Sequence, residues 1–427
     1  MIQFTNKNTS FVILSFEGPD LYSQAGGLGV RVTELSKNLA EKGFETHLFF
    51  VGDPFKKSVE KFNNEKLTLY RWCQWMSKYH PIGVYENEAG KISDFENSVP
   101  PYIIEKIILP NKKENKFTII LAEEWHTVST VINLNKLIKN NSLETDAFII
   151  WNANNSYSFK EINWQALAKS AIITTICKYI KHLMWKYAVN ALIIPNGIPK
   201  RLLEEVDPQK IHKLRHIFKD RLLLFKVGRY DPDKRWIMAI DSINLLKKHG
   251  LNPVLIVRGG KEPHREQVMQ RAQCHNLKVK TIALEKSNFN SFVKALSENT
   301  DNDIIELKCY IPERILRIFY ASSDAVLANS GHEPFGLVGL EVMAAKGIAI
   351  TGATGEDYAY AFENSLVVET NLPQEITTYI EIIQANRNLK KYIRENAYIT
   401  AGKYCWDKII KQLLNKIEAI LSIVNGN

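Results

Sequence analysis

The chain has few cysteines. Five are scattered over 427 residues (Cys73, Cys177, Cys274, Cys309 and Cys405), and none forms a Cys-x-x-Cys pair. An odd, dispersed set excludes a disulfide framework and a thiolate zinc site, and it fits a reducing compartment. Long apolar runs are lacking as well. The run near the N-terminus, Phe11–Phe16, is shorter than the core of a secretory signal, and no run approaches the roughly 20 residues of a membrane span. The sequence therefore predicts a cytoplasmic protein and leaves contact with a membrane surface open. No block of five like charges occurs, so the net charge of +9 is a diffuse excess without the footprint of a nucleic-acid binder. With 21 Gly and 15 Pro, collagen-like and low-complexity architectures are excluded.

What is present is apolar material in short runs. Hydrophobic residues make up 45% and aromatics 10%, enough to bury proper cores, and the length suggests two domains. Phe11–Phe16 reads as a buried strand. A glycine-rich turn follows, then Val32, Leu35 and Leu39 at helical spacing, with Gly43 where a helix should stop. Thr46–Val51 is the next strand, which completes a βαβ unit. Residues 55–115 are less regular and aromatic, and read as an insertion. Strand runs resume at Phe117–Leu121, Phe148–Trp151 and Leu192–Pro195. A second series begins with Leu222–Val227 and continues through a helix at Trp236–Lys248 and strands at Val254–Val257, Asp324–Ala328 and Ile348–Thr351. The pattern predicts two α/β, Rossmann-like doubly wound domains, at 1–200 and 201–404. The segment 405–427 carries a long amphipathic helix with Ile409, Ile410, Leu413, Leu414, Ile417 and Ile420 on one stripe.

In doubly wound sheets ligands sit at the carboxyl ends of strands, so the loops there hold the candidate chemistry. Gln24-Ala25-Gly26-Gly27-Leu28-Gly29 lies between a strand and a helix. Adjacent glycines admit a bulky anion to the backbone, and the helix offers free amides; the same residues would serve a mere tight turn. Gly228–Lys234 follows the Leu222–Val227 strand. Arg229 and Lys234 there can hold a diphosphate, the guanidinium through two oxygens and the ammonium as a point charge. In Glu333-Pro334-Phe335-Gly336-Leu337-Val338-Gly339-Leu340-Glu341, one acid precedes a helix and one lies along it. The amides of Phe335, Gly336 and Leu337 between them suit phosphate, and the acids suit hydroxyls. Glu341 could equally be compensating a helix dipole. Glu124-Trp125-His126-Thr127 follows another strand, and Pro195-Asn196-Gly197-Ile198 is a turn. Lys178–Tyr187 is a basic, aromatic helix better explained by core packing than by a membrane. No cluster with metal-ligand spacing stands near these loops.

In this order the segments resemble glycosyltransferase family 4 and the related glycogen and starch synthases, over nearly the whole chain. Gly26-Gly27-Leu28-Gly29 is similar to the synthase glycine loop, and Glu124–Thr127 to its Asp-Trp-His-Thr segment with Glu for Asp. Gly228-Arg229 with Lys234, Tyr320–Asp324, Ser330, Glu333–Leu337 with Glu341, and Tyr404-Cys405-Trp406 complete the set. The resemblance implies the GT-B fold, two Rossmann-like domains facing across a cleft with the last helix returning to the first domain. It implies retaining transfer of a hexose, glucose before mannose, from a UDP-, ADP- or GDP-sugar to a glycan or other hydroxyl acceptor, with no cofactor. By the resemblance Arg229 and Lys234 bind the diphosphate, Glu341 the ribose and Glu333 the donor sugar. The Phe335–Leu337 amides hold sugar and phosphate, His126 lies near the reacting centre, and Gly26 and Gly27 close over the phosphate. Two departures stand out. Gln24 occupies the position of a synthase lysine, and Arg258-Gly259-Gly260 replaces a common Gly-x-Gly turn. A non-catalytic sugar-nucleotide or glycan-binding protein and a nucleotide-sugar epimerase are the competing readings.

Overall fold

The computed structural model describes residues 3–424. Its contacts divide the chain into two compact units, one of residues up to Gly197 together with those from Trp406 onward, the other Ile198–Cys405.

The first unit is built on β1 (Thr9–Leu14), β2 (Glu45–Val51), β3 (Val59–Phe62), β4 (Leu67–Trp72), β5 (Phe117–Glu123), β6 (Ala147–Ala153), β7 (Ile172–Thr175) and β8 (Leu192–Ile193). They lie in the order β3-β4-β2-β1-β5-β6-β7-β8, parallel except for the antiparallel β3–β4 pair. β1 is buried at every residue, as expected of a parallel strand covered on both faces. The stretch 55–115 is therefore no insertion: β4 pairs with β2 over six residues and belongs to the sheet. The Glu88–Ile103 helix follows it and contains Pro100 and Pro101. A π-helical stretch at Ile104–Ile108 carries it on. Prolines remove intrahelical hydrogen bonds, which is why this stretch does not look helical in sequence.

The second unit carries β9 (Leu222–Val227), β10 (Pro253–Arg258), β11 (Val279–Ile282), β12 (Ile304–Leu307), β13 (Ala325–Ala328), β14 (Ala349–Thr351) and β15 (Leu366–Val367). The order is β11-β12-β10-β9-β13-β14-β15, parallel throughout. Both sheets are Rossmann-like. Each has one place where the chain, having built strands toward one edge, returns to the centre and builds toward the other. These switch points are β1/β5 and β9/β13. The loops leaving them diverge and open a crevice.

The Trp406–Val424 helix belongs to the first unit. Ile409, Ile410, Leu413 and Ile417 of its stripe are buried; Leu414 and Ile420 are half-buried. At its start Trp406 lies against Gly197, where a Cβ would fall 2.4 Å from the indole, so only glycine fits. Arg31 fixes this corner. Its Nε donates to Glu123 at 3.1 Å, NH1 donates to Asn196, and the guanidinium lies 5.7 Å from the Trp406 ring centroid. No helix among the described residues is long and apolar enough to cross a membrane.

Candidate active site

In the second unit the β9/β13 switch point gathers the sequence-predicted residues. The loop after β9 runs through a single 3-10 turn, Pro232–Lys234, whose Asp231 side chain caps the Asp233 amide at 2.9 Å. Arg229 is exposed and makes no ion pair among the described residues. Lys234 bonds directly to Glu333, in the loop after β13. The lysine is thus not a free surface charge: Lys234 and Glu333 neutralise one another.

Glu333 precedes the Leu337–Ala344 helix. Gly336 forms its N-cap with φ +77, a conformation that favours glycine. A Cβ at Gly336 would also fall 2.8 Å from Glu356. The Tyr358 hydroxyl donates to the Gly336 carbonyl and pins the turn. The amides of Phe335, Gly336 and Leu337 meet no acceptor among the described residues, as expected at a helix start, where free N–H groups and the helix dipole favour an anion.

Glu341 is the fifth residue of that helix and accepts from the buried Tyr320 hydroxyl at 3.2 Å. Burial pushes its carboxyl up to about 7, against the lowering by Tyr320. The Tyr320 contact gives Glu341 a partner inside the fold, apart from the helix dipole. Glu356, which the sequence reading missed, is 6% exposed. Its Oε2 accepts from the amides of Thr354 and Gly355 at 3.1 Å each, while Oε1 has no partner. Burial, then Glu333 nearby, raises it to about 7. Its position in the loop after β14 was the available signal. Arg258 is half-buried, with Nε 3.4 Å from the Cys309 carbonyl. Gly259 packs under Tyr230, where a Cβ would come within 2.0 Å of the ring, so that turn is shaped by packing.

In the first unit the β1/β5 switch point brings the glycine loop and the His126 loop to the same end of the sheet. The expectation of free amides at the glycine loop needs correction. Glu17 Oε2 accepts from Ala25 at 3.2 Å, Gly26 at 2.9 Å and Gly29 at 3.0 Å, so a carboxylate of the chain itself holds the helix start. Gly26 and Gly27 are exposed, and a Cβ on Gly27 would meet nothing within 4 Å. The surface above them is open. Gln24 is exposed beside them.

His126 is buried on a 3-10 turn, Trp125–Thr127. Its ring stacks on Trp125 at 3.9 Å and on Phe16 at 4.5 Å. Nε2 lies 2.8 Å from Glu88 Oε1. A carboxylate can only accept, so the proton sits on Nε2, and Nδ1, without a partner, presents a lone pair. Burial depresses the imidazole pKa, opposed by Glu88. The turn starts from Glu124 at φ 69 and ψ 166, a conformation few residues other than glycine adopt. Glu124 Oε1 accepts from the Asn155 amide at 3.1 Å, and burial pushes this carboxyl up to about 8. Among the described residues no group of three His, Cys, Asp or Glu is placed to hold a metal ion.

Comparison with known proteins bears on the family and the fold. Residues 207–400 match the family model described as glycosyl transferases group 1. A glycosyltransferase of Methanocaldococcus jannaschii is 31% identical over 103 residues, a match that spans 23% of this chain and 26% of that protein. Sucrose-phosphate synthase from Thermosynechococcus elongatus superposes with a TM-score of 0.67 at 16% identity, over 97% of this chain and 100% of that one. A glycosyltransferase from Rickettsia africae gives 0.66 at 17%, over 97% and 99%. The catalytic domain of starch synthase IV from Arabidopsis thaliana, bound to ADP and acarbose, gives 0.64 at 15%, over 96% and 100%. The second unit therefore matches the group 1 glycosyl transferase model over most of its length, and the chain shares the GT-B fold of these structures.

Proposed function

We propose that the protein is a retaining glycosyltransferase that moves a hexose, glucose before mannose, from a nucleotide-diphosphate sugar to a hydroxyl acceptor. One observation carries the reading: the loops leaving the β9/β13 switch point hold the bonded Lys234–Glu333 pair and lead into a helix start with unpartnered Phe335–Leu337 amides and half-buried Glu341, with exposed Arg229 in the same loop as Lys234. Each matches one part of such a donor. Arg229, Lys234 and the amides take the diphosphate, Glu341 the ribose hydroxyls and Glu333 the sugar hydroxyls. When the bond from C1 to the phosphate oxygen breaks, positive charge develops on the sugar and negative charge on the diphosphate. Fixed cations and amides stabilise the latter without reorganising, and each such donor contributes roughly 3–4 kcal/mol in a water-excluded site. The acceptor hydroxyl attacks the face that the phosphate leaves, and its proton passes to the departing phosphate oxygen. The reading also assigns His126 to the sugar near the reacting centre, with Nδ1 accepting a hydroxyl, and Gly26 and Gly27 to the phosphate. Charge neutralisation falls to Arg229 and Lys234, with no metal.

The test is incubation of the purified protein with UDP-, ADP- and GDP-hexoses and a panel of glycan and small hydroxyl acceptors, in EDTA. Transfer with the donor's anomeric configuration kept is expected. An inverted product overturns the mechanism, and activity that only magnesium or manganese restores overturns the metal-free assignment. Binding of every donor without transfer or hydrolysis would favour the non-catalytic reading, and an epimerised donor the epimerase.

A further inference from the structure

Lys226 lies on β9, two residues before the Gly228 turn, and is only 2% exposed. Its Nζ donates to the Asn329 Oδ1 at 2.7 Å and to the Leu327 carbonyl at 3.1 Å, and it stands 5.0 Å from the centroid of the Trp236 ring. None of these partners carries a negative charge. The charged groups that act on it are Lys234, Arg235 and Glu333, and Glu333 is already bonded to Lys234. A buried ammonium with only neutral acceptors, beside a Lys234–Glu333 pair that cancels and the further cation Arg235, is unfavourable in its charged form. Burial, then Lys234 and Arg235, against the raising by Glu333, holds Lys226 well below the usual lysine range. The sequence has no local need for a lysine here: the other residues of β9 are Leu, Leu, Leu, Phe and Val.

A ligand of the site above brings the charge that is missing. We propose that Lys226 is a third, buried cation of the diphosphate site, which takes up a proton from solvent when a nucleoside diphosphate binds. The inference rests on the donor reading. The proton moves from buffer to Nζ, and no bond to the ligand forms. Lys226 acts through its field and through Asn329, whose Nδ2 lies 3.4 Å from the Arg235 carbonyl, so it is a positioning residue. Its consequence is a site whose positive charge rises only when a leaving group is there to be stabilised.

The experiment is calorimetric titration of the full chain with UDP, ADP and GDP, each in two buffers of different ionisation enthalpy. A pH of roughly 8–9 keeps the terminal phosphate fully ionised, its pKa being near 6. The buffer dependence of the heat gives the protons taken up. For the wild type we expect a substantial fraction of one proton with the diphosphates and none with the free nucleosides. Lys226→Met should bind about tenfold more weakly, the equivalent of one pKa unit of lost interaction, and without uptake. Asn329→Asp keeps the side-chain size and sets a carboxylate beside Nζ, so the ammonium is charged before the ligand arrives. It should bind without uptake, and it decides the matter if the methionine variant does not fold. Absence of uptake in the wild type, or equal uptake in wild type and Asn329→Asp, overturns the proposal. Failure of all three diphosphates to bind overturns the donor reading itself.

Discussion

The ammonium of Lys234 and the carboxylate of Glu333 are bonded to each other although 99 positions separate them in sequence. They come from the loops that follow the two strands flanking the switch point, β9 and β13. Each satisfies the other. On the donor reading, a diphosphate offers Lys234 a stronger anion, and the sugar hydroxyls offer Glu333 a replacement donor. On that reading neither half of the donor alone compensates both groups, and the pair is expected to discriminate an intact nucleotide sugar from its fragments.

Lys234→Ala should therefore leave the fold intact. The pair is partly exposed, 27% and 18% for the two side chains, and pairs in contact with water contribute about 0–1 kcal/mol. Transfer should fall roughly a hundredfold or more, the scale for removal of one preorganised contact to a leaving group. Affinity for the nucleoside diphosphate should drop, while that for the free nucleoside holds. Calorimetry with both ligands beside a melting curve checks this. A variant that melts normally and transfers at the wild-type rate would reduce Lys234 to a partner for Glu333.

Glu333→Gln and Glu341→Gln should fail differently. Glu333 sits in the loop before the helix, and its loss should suppress transfer far more than diphosphate binding. Glu341 lies within the helix against Tyr320, and its loss should weaken nucleotide binding first. Titration of each variant with the free diphosphate, compared with its transfer rate, separates the two. Equal losses of affinity would reject the division of roles.

Sequence patterns reach as far as contacts are local. β1 and β9 are unbroken apolar runs, and the loops after them stand out by their glycines and charges. β4 was not legible, because its run Leu-Thr-Leu-Tyr-Arg-Trp carries a buried arginine. Arg71 is acceptable there because Asp20, 51 positions earlier, takes its Nε at 2.7 Å, and Glu60 and the Lys57 carbonyl take the rest of the guanidinium. β7 and β11 are only four residues long. In the site, motif spacing marked Lys234 and Glu333 but not their bond. It marked the glycine loop but not Glu17, whose three amide contacts span 8 to 12 positions. It marked His126 but not Glu88, which lies 38 positions away in the stretch taken for an insertion.

Glu17→Ala tests whether that carboxylate holds the glycine loop. Ala25 and Gly26 are exposed and their amides can turn to water, whereas Gly29 is buried and would keep an orphaned donor. The Tyr85 hydroxyl, 2.6 Å from Glu17 Oε1, loses its acceptor too. The expected destabilisation is about 1–3 kcal/mol, read from the urea midpoint. Glu17→Gln, which retains an accepting oxygen, should recover part of it. A wild-type midpoint for the alanine variant would show that the loop stands by itself.

Glu124 gives a prediction in pH. Burial disfavours its charge and pushes the carboxyl up to about 8 in the folded protein, from about 4.5 in the unfolded chain. Between those values the folded state binds more protons than the unfolded state, so stability falls as pH rises. The penalty is absent below the unfolded value and complete above about 8. Glu124→Gln removes the ionisation and keeps an oxygen for the amide of Asn155, which Glu124 now accepts at 3.1 Å. The variant should match the wild type in melting temperature near pH 4, then melt progressively higher than it as pH rises, with the gap levelling off past about 8. Glu341 and Glu356, each raised to about 7, remain in both proteins and so cancel from the difference. Melting curves of the two proteins that run parallel from pH 4 to 9 would mean that the Glu124 carboxylate is accommodated in its charged form, with the nearby amides already sufficient to hold it.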